Sequence, residues 1–160
     1  MTRKTSRLRF LTLTLTILTL ASCNGNLLFT DETVMPDNTW TLFNNPEFTW
    51  TVADTIQRTD IFFTIRNGSQ YPFRNIFLFV TTLSPDGKSI TDTLEYFLAD
   101  EKGKWLGTGF GDIRELKLPY RQNVYFPSIG TYLFRIQHGM READLRGIYD
   151  VGLRIEKHLN

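Results

Sequence analysis

Cysteine and histidine are almost missing from this chain. Of its 160 residues one is cysteine, Cys23, and two are histidine, His138 and His158. An intramolecular disulfide is therefore excluded. A zinc site needs three or four His, Cys or acidic ligands at suitable spacing, and no H-x-x-x-H or C-x-x-C is present to start one. No G-x-S-x-G elbow marks a nucleophilic serine. Carboxylate pairs for sugar hydrolysis could be drawn from Asp86, Asp92, Glu95 and Asp112, but any chain of this size offers such a set. His138, near the end of a strand-like segment, and His158, near the C-terminus, are expected at the surface. Charge of one sign is lacking too: 18 Lys and Arg face 17 Asp and Glu. The arginines are spread through the chain with no basic stripe, which argues against nucleic acid as a partner. The reading is of a non-catalytic protein with no cofactor and no metal.

The one uncharged apolar run, Phe10 to Ala21, falls short of the about 20 residues that a membrane-spanning helix needs. It follows a basic segment with Arg3, Lys4, Arg7 and Arg9, and together they have the pattern of a secretory signal peptide. The run ends Leu20-Ala21-Ser22-Cys23. This resembles the bacterial lipobox, in which small residues suit a narrow peptidase cleft and the cysteine thiol is acylated. An ordinary signal peptide with a chance cysteine is the plainer alternative. A lone thiol outside the cytoplasm has no partner, however, and acylation disposes of it. Residues 1–22 are thus read as a lipoprotein signal peptide, with Cys23 as the lipidation site and the membrane as its first partner. Several acyl chains, each methylene contributing about 0.8 kcal/mol, make a stable anchor. Asn24 stands where an aspartate would signal inner-membrane retention, which points to the outer membrane. Gly25-Asn26-Leu27-Leu28 lacks an acidic surface-export cluster, which points to its periplasmic face. Cleavage removes four of the 18 basic residues and leaves 17 acidic ones, a net charge of −3.

What the chain does have is aromatics: 13 Phe, 6 Tyr and 3 Trp. Residues 23–38 are polar, include Pro36 and read as a lipidated tether. Residues 39–160 are long enough for one domain with a sizeable core, and period-two alternation runs through them while helix periods are scarce. Thr39 to Trp50 is a strand broken near Asn44-Asn45-Pro46. Thr59 to Asn67 alternates, with Ile61, Phe63 and Ile65 on one face. Asn75 to Leu83 is nearly continuous in apolar residues and is expected to be a central strand covered on both faces. Ser84-Pro85-Asp86-Gly87 has the chemistry of a turn, joining that strand to Lys88 to Ala99. Ile113 to Leu118 is a strand stopped by Pro119. Asn123 to Phe126, Thr131 to Gln137 and Tyr149 to Lys157 complete the set, and Glu142 to Gly147 is expected to make one short helical turn. The fold class is all-β, an antiparallel β-sandwich of seven to eight strands.

Residues 103–112, GKWLGTGFGD, hold the most distinctive local pattern. The dinucleotide fingerprint G-x-G-x-x-G and the Walker A pattern both differ from G-x-G-x-G, and no amphipathic helix follows. Glycines here are expected to permit φ > 0 or close backbone approach in a bulged loop. Trp105, Gly107, Gly109, Phe110, Gly111 and Asp112 are the candidate partner-binding residues, because aromatics on a loop serve as binding anchors. A rival reading has Trp40, Trp50 and Trp105 stacking on the sugar rings of envelope carbohydrate.

Three blocks carry a resemblance: RNGSQYPFRNIFLFV (66–80), DTLEYFLADEKGKWLGTGFGDIREL (92–116) and YFPSIGTYLFRIQHGMREADLRGIYDVGLRIEK (125–157). The most specific part is Trp105-Leu106-Gly107-x-Gly109 with Gly111-Asp112-Ile113; Met140-Arg141 and Asp150-Val151-Gly152 add to it. The chain resembles the gliding-motility lipoprotein H family, GldH, from the lipobox to the C-terminus, with no clear departure from the pattern. The resemblance implies an outer-membrane lipoprotein facing the periplasm, with a role in the gliding machinery and the associated type 9 secretion system, other envelope proteins of that machinery as partners, and no catalytic residues.

Overall fold

The structure is a computed structural model that describes residues 25–159. The signal peptide and Cys23 lie outside the described residues. Ten strands run β1 (Leu27–Val34), β2 (Thr39–Thr41), β3 (Glu47–Val52), β4 (Thr59–Asn67), β5 (Asn75–Leu83), β6 (Ser89–Phe97), β7 (Arg114–Val124), β8 (Gly130–His138), β9 (Asp144–Arg146) and β10 (Ile148–Lys157). All pairings are antiparallel. One sheet has the order β1-β10-β4-β7, the second β3-β8-β5-β6, and β2 with β9 forms a two-stranded ribbon. This is the expected sandwich. Among the described residues no helix is long and apolar enough to cross a membrane.

Alternation decides which side chains enter the core, because successive residues of a strand face opposite ways. Ile61, Phe63 and Ile65 of β4 and Val151, Leu153 and Ile155 of β10 meet Ile76, Leu78 and Val80 of β5 and Tyr132, Phe134 and Ile136 of β8 in one buried cluster. Trp40 and Leu145 of the ribbon close one side of it. Each such side chain contributes about 1.5–3 kcal/mol through burial. The Ser84–Gly87 turn joins β5 to β6 as expected, with the Gly87 amide donating to Ser84 O and the Ser84 amide to Lys88 O, both at 2.9 Å.

Five expectations change. Residues 27–34 are no tether: they form edge strand β1, paired with β10 from Leu27 opposite Glu156 to Val34 opposite Asp150. An edge strand bonds on one side only, so LLFTDETV stays polar enough to read as linker. Among the described residues the one helical turn is a 3-10 turn at Pro36–Asn38, and 144–146 is strand β9, because Trp40 and Leu145 bury themselves by pairing directly. Pro119 does not stop β7. It sits inside the strand opposite Phe62, next to a register shift, on an edge where a missing N–H costs no ladder bond. β5 is central but covered on one face only: Phe77 and Phe79 point outward and are exposed. His138 is fully buried, not at the surface; its ring lies edge-on to Trp40, centroids 5.3 Å apart.

The sandwich has two distinct ends. One gathers the start of β1, the end of β10 and the start of β4. A cleft lined by Ile61, Tyr120, Val124, Thr82, Ser84 and Tyr132 adds the end of β7, the β5–β6 turn and the start of β8. We call this the N-terminal pole. The opposite end holds the end of β6, the start of β7 and residues 98–113 between them, and is called the loop pole.

Candidate functional site

At the loop pole the chain leaves β6 and doubles back before β7. Asp100 organises the first turn: its carboxylate accepts the Lys102 and Lys104 amides, each at 2.9 Å. Trp105 then bridges to Ala99 and lies against Tyr71, ring centroids 6.3 Å apart. Burial pushes the Tyr71 phenol above its ordinary pKa, and its hydroxyl donates to Asn75 O at 2.8 Å. Trp105 is consequently a partly buried prop of the loop.

The glycines have separate roles. Thr108 and Glu115 exchange both backbone hydrogen bonds, at 3.0 and 2.7 Å, and Gly107 and Gly109 flank that pair. A Cβ on Gly107 would lie 2.2 Å from Glu115 O, and one on Gly109 would lie 2.1 Å from Ile113 O. Gly107 also has φ +83°, where a side chain is disfavoured. Gly111 has φ +65° but open space around it. Gly107 and Gly109 bring one backbone against another, as expected of a bulged loop, and Gly111 supplies a positive φ.

The tip is braced. Asp112 accepts a hydrogen bond from Ser69 Oγ at 2.7 Å, and that bond holds its carboxyl below the usual pKa. Arg114 Nη1 donates to the carbonyls of Gly111 and Ile113 at 2.7 and 2.8 Å. Between them Phe110 is 97% exposed, a large apolar ring held out in water by a loop with many internal bonds. Of the six candidate residues, Trp105, Gly107, Gly109 and Asp112 hold the loop together, Gly111 shapes its tip, and Phe110 alone presents a wholly free side chain.

The tryptophans do not form a stacking platform. Trp40 is fully buried and its Nε1 donates to Asn44 O at 2.7 Å. Trp50 packs edge-on to Phe126 at 4.8 Å, at the far end of the sandwich from Trp105.

Three further features were not read from the sequence. The cleft at the N-terminal pole has a volume of about 400 Å³. Tyr120 on its wall donates to Asp92 at 2.7 Å, and burial raises the pKa of that phenol. On β10 the buried Asp150 pairs with Arg66; burial raises the Asp150 carboxyl pKa, which Arg66 opposes. The outer face of the β5 sheet carries Phe77, Phe79 and Phe97, with Arg74 over the Phe97 ring at 5.1 Å. Among the described residues no group of three His, Cys, Asp or Glu is placed to hold a metal. These features could not be seen beforehand because each joins residues from strands distant in sequence.

The chain is similar to solved β proteins, but weakly. A carbohydrate-binding module of the β-sandwich superfamily matches at 11% identity and a TM-score of 0.34, over 88% of this chain and 60% of that one. The VP2 subviral particle of infectious bursal disease virus matches at 15% and 0.31, over 81% and 30%. Scores this low carry no argument. Sequence relatives are much nearer. The gliding motility lipoprotein GldH of Flavobacterium johnsoniae is 36% identical over 152 residues, 91% of this chain and 94% of its own. The gliding motility lipoprotein GldH homolog of Christiangramia forsetii is 45% identical over 114 residues, 67% of this chain and 70% of its own. The GldH lipoprotein model itself matches residues 28–155, which takes in both sheets and the braced loop: the chain belongs to the GldH lipoprotein family.

Proposed function

We propose that this protein is an outer-membrane lipoprotein, acylated at Cys23 and facing the periplasm, which serves as a non-catalytic docking component of the gliding machinery and its associated type 9 secretion system. The observation that carries the docking role is Phe110, exposed on a rigidly braced loop. A preorganised aromatic loses little freedom on binding, which is the economy used by interface anchors. The relatives' names supply the motility context. The lipid supplies the second element, because anchoring concentrates the domain near envelope partners. A carbohydrate platform built on the three tryptophans is disfavoured by the burial of Trp40 and the separation of the other two.

The test is in-cell crosslinking of the tagged lipoprotein in wild type, Cys23→Ala and Phe110→Ala strains, with spreading motility and type 9 secretion scored in parallel. Capture of motility or secretion components that falls in both variants supports the reading. Capture and motility unchanged in Phe110→Ala would remove the loop from it. Capture unchanged in Cys23→Ala would remove the anchor.

A further inference from the structure

Four exposed apolar side chains converge at the N-terminal pole from segments far apart in sequence. Ile56, before β4, is 79% exposed, Ile129, before β8, 66%, and Leu159, after β10, 65%. Tyr125 is half exposed, and Arg58 Nε donates to its hydroxyl at 2.5 Å. Arg58 and Lys157 stand exposed among them. The nearby acids have partners of their own, a lysine only in the case of Asp86. Asp54 accepts the Ile56 amide at 2.8 Å, Asp60 lies 2.9 Å from His158 Nδ1, and Asp86 pairs with Lys88 at 2.7 Å. Arg58 bonds the neutral Tyr125 and Asn123, so its charge is shared with no acid there; apolar and aromatic side chains rimmed by such cations are the composition of a surface that rests at a lipid interface.

The route of the chain names the occupant. The Lys157 amide donates to Asn26 O at 2.7 Å, so the backbone is fixed to this pole as far back as Asn26. Three residue steps then separate Asn26 from Cys23, and they span at most about 11 Å. β10 alone has 10 residues, about 33 Å at the rise of a strand. A chain anchored at Cys23 therefore holds the N-terminal pole against the headgroups and keeps the loop pole away from them.

We propose that the N-terminal pole is a membrane seat. Ile56, Ile129 and Leu159 enter the lipid interface, Tyr125 lies at headgroup level, and Arg58 and Lys157 meet lipid phosphates. The domain stands upright on the bilayer with Phe110 at its far end. This inference rests on the acylation of Cys23 in the proposed function.

The experiment uses the native lipoprotein carrying Ile129→Cys or Phe110→Cys, each labelled with an environment-sensitive dye. It is reconstituted in vesicles of phosphatidylethanolamine and phosphatidylglycerol that contain doxyl-labelled lipid. Mass spectrometry of the N-terminal peptide is run first. With Cys23 acylated, the dye at 129 is expected to be quenched several-fold more than the dye at 110. Adding Ile56→Asp and Leu159→Asp should lower the quenching at 129 several-fold, and quenching at 129 unchanged in that variant would show that the tether alone holds the pole there and overturn the seat; both side chains are exposed, so folding is not at stake. An acylated protein with equal quenching at the two positions, or stronger quenching at 110, overturns the seat and leaves the anchor standing. Peptide without acyl chains overturns the anchor and the seat together. A photocrosslinker at 129 that captures protein rather than lipid in cells overturns the seat in favour of a protein interface.

Discussion

Replacing Gly107, Gly109 and Gly111 by alanine one at a time should give three different results. At Gly109 the new methyl would stand 2.1 Å from Ile113 O. Carbon and oxygen settle at about 3.3 Å, so the two backbone segments must separate by about 1 Å. Both neighbours are backbone, and no side-chain rotation relieves the contact. The Thr108–Glu115 pair lies between the two glycines, and its two hydrogen bonds contribute about 1 kcal/mol each. Gly109→Ala is therefore expected to cost about 2 kcal/mol. Gly107→Ala meets Glu115 O at 2.2 Å and also holds φ +83°, which adds about 1–2 kcal/mol for the left-handed backbone, about 3–4 kcal/mol in all. Gly111→Ala has the left-handed φ but free space, and should cost only the backbone share, about 1–2 kcal/mol. Denaturant unfolding with intrinsic tryptophan fluorescence reads the order as midpoint shifts at constant slope. Hydrogen exchange at the Thr108 and Glu115 amides reads it locally. Equal midpoints for Gly111→Ala and Gly107→Ala, with both amides as protected as in wild type, would refute the close-approach account of this loop.

Two further outcomes follow from burial. Phe63 is fully buried and Phe79 is not. Phe63→Ala should therefore cost about 3–5 kcal/mol, while Phe79→Ala stays within about 1 kcal/mol in the same assay. His138 is fully buried, and burial lowers its pKa below the ordinary 6.5, outweighing the nearby Ala143 backbone and Asp144, which favour the charged form. The unfolded chain accordingly takes a proton below pH 6.5 that the folded chain refuses. The stability due to the neutral ring is present above that pH and falls as pH drops through it, by at most about 1.4 kcal/mol per pH unit. Urea midpoints on either side of pH 6.5 should show that loss, and His138→Phe should flatten it; an equally steep profile in the variant would assign the effect to other groups.

The sandwich was legible because period-two alternation states directly which side chains share a face. Ile61, Phe63 and Ile65 declare β4, and Ser84-Pro85-Asp86-Gly87 declares the hairpin that follows β5. The same rule is blind to what covers a face or completes an edge. The run Asn75 to Leu83 looks equally apolar on both sides, yet Phe77 and Phe79 stay 36% and 40% exposed. LLFTDETV looks like linker, yet it pairs with β10, because an edge strand is held by backbone bonds more than by its side chains. Pro119 looks like a stop, and becomes harmless once β7 is an edge.

The candidate loop divides in the same way. The glycine spacing in GKWLGTGFGD was visible, and so was its likeness to the family. Which of its residues brace the loop and which one is free depended on Ser69, Tyr71 and Glu115, at distances in sequence that no local pattern encodes. The sequence by itself determined the all-β class, the hairpin turn and the family. Only the tertiary structure decided that Trp40 and His138 are interior, that Phe110 stands alone in water, and that Ile56, Tyr125, Ile129 and Leu159 share one pole. The reason is physical: local chemistry limits each residue to a strand or a turn, whereas exposure and proximity are set by which distant strands the chain pairs.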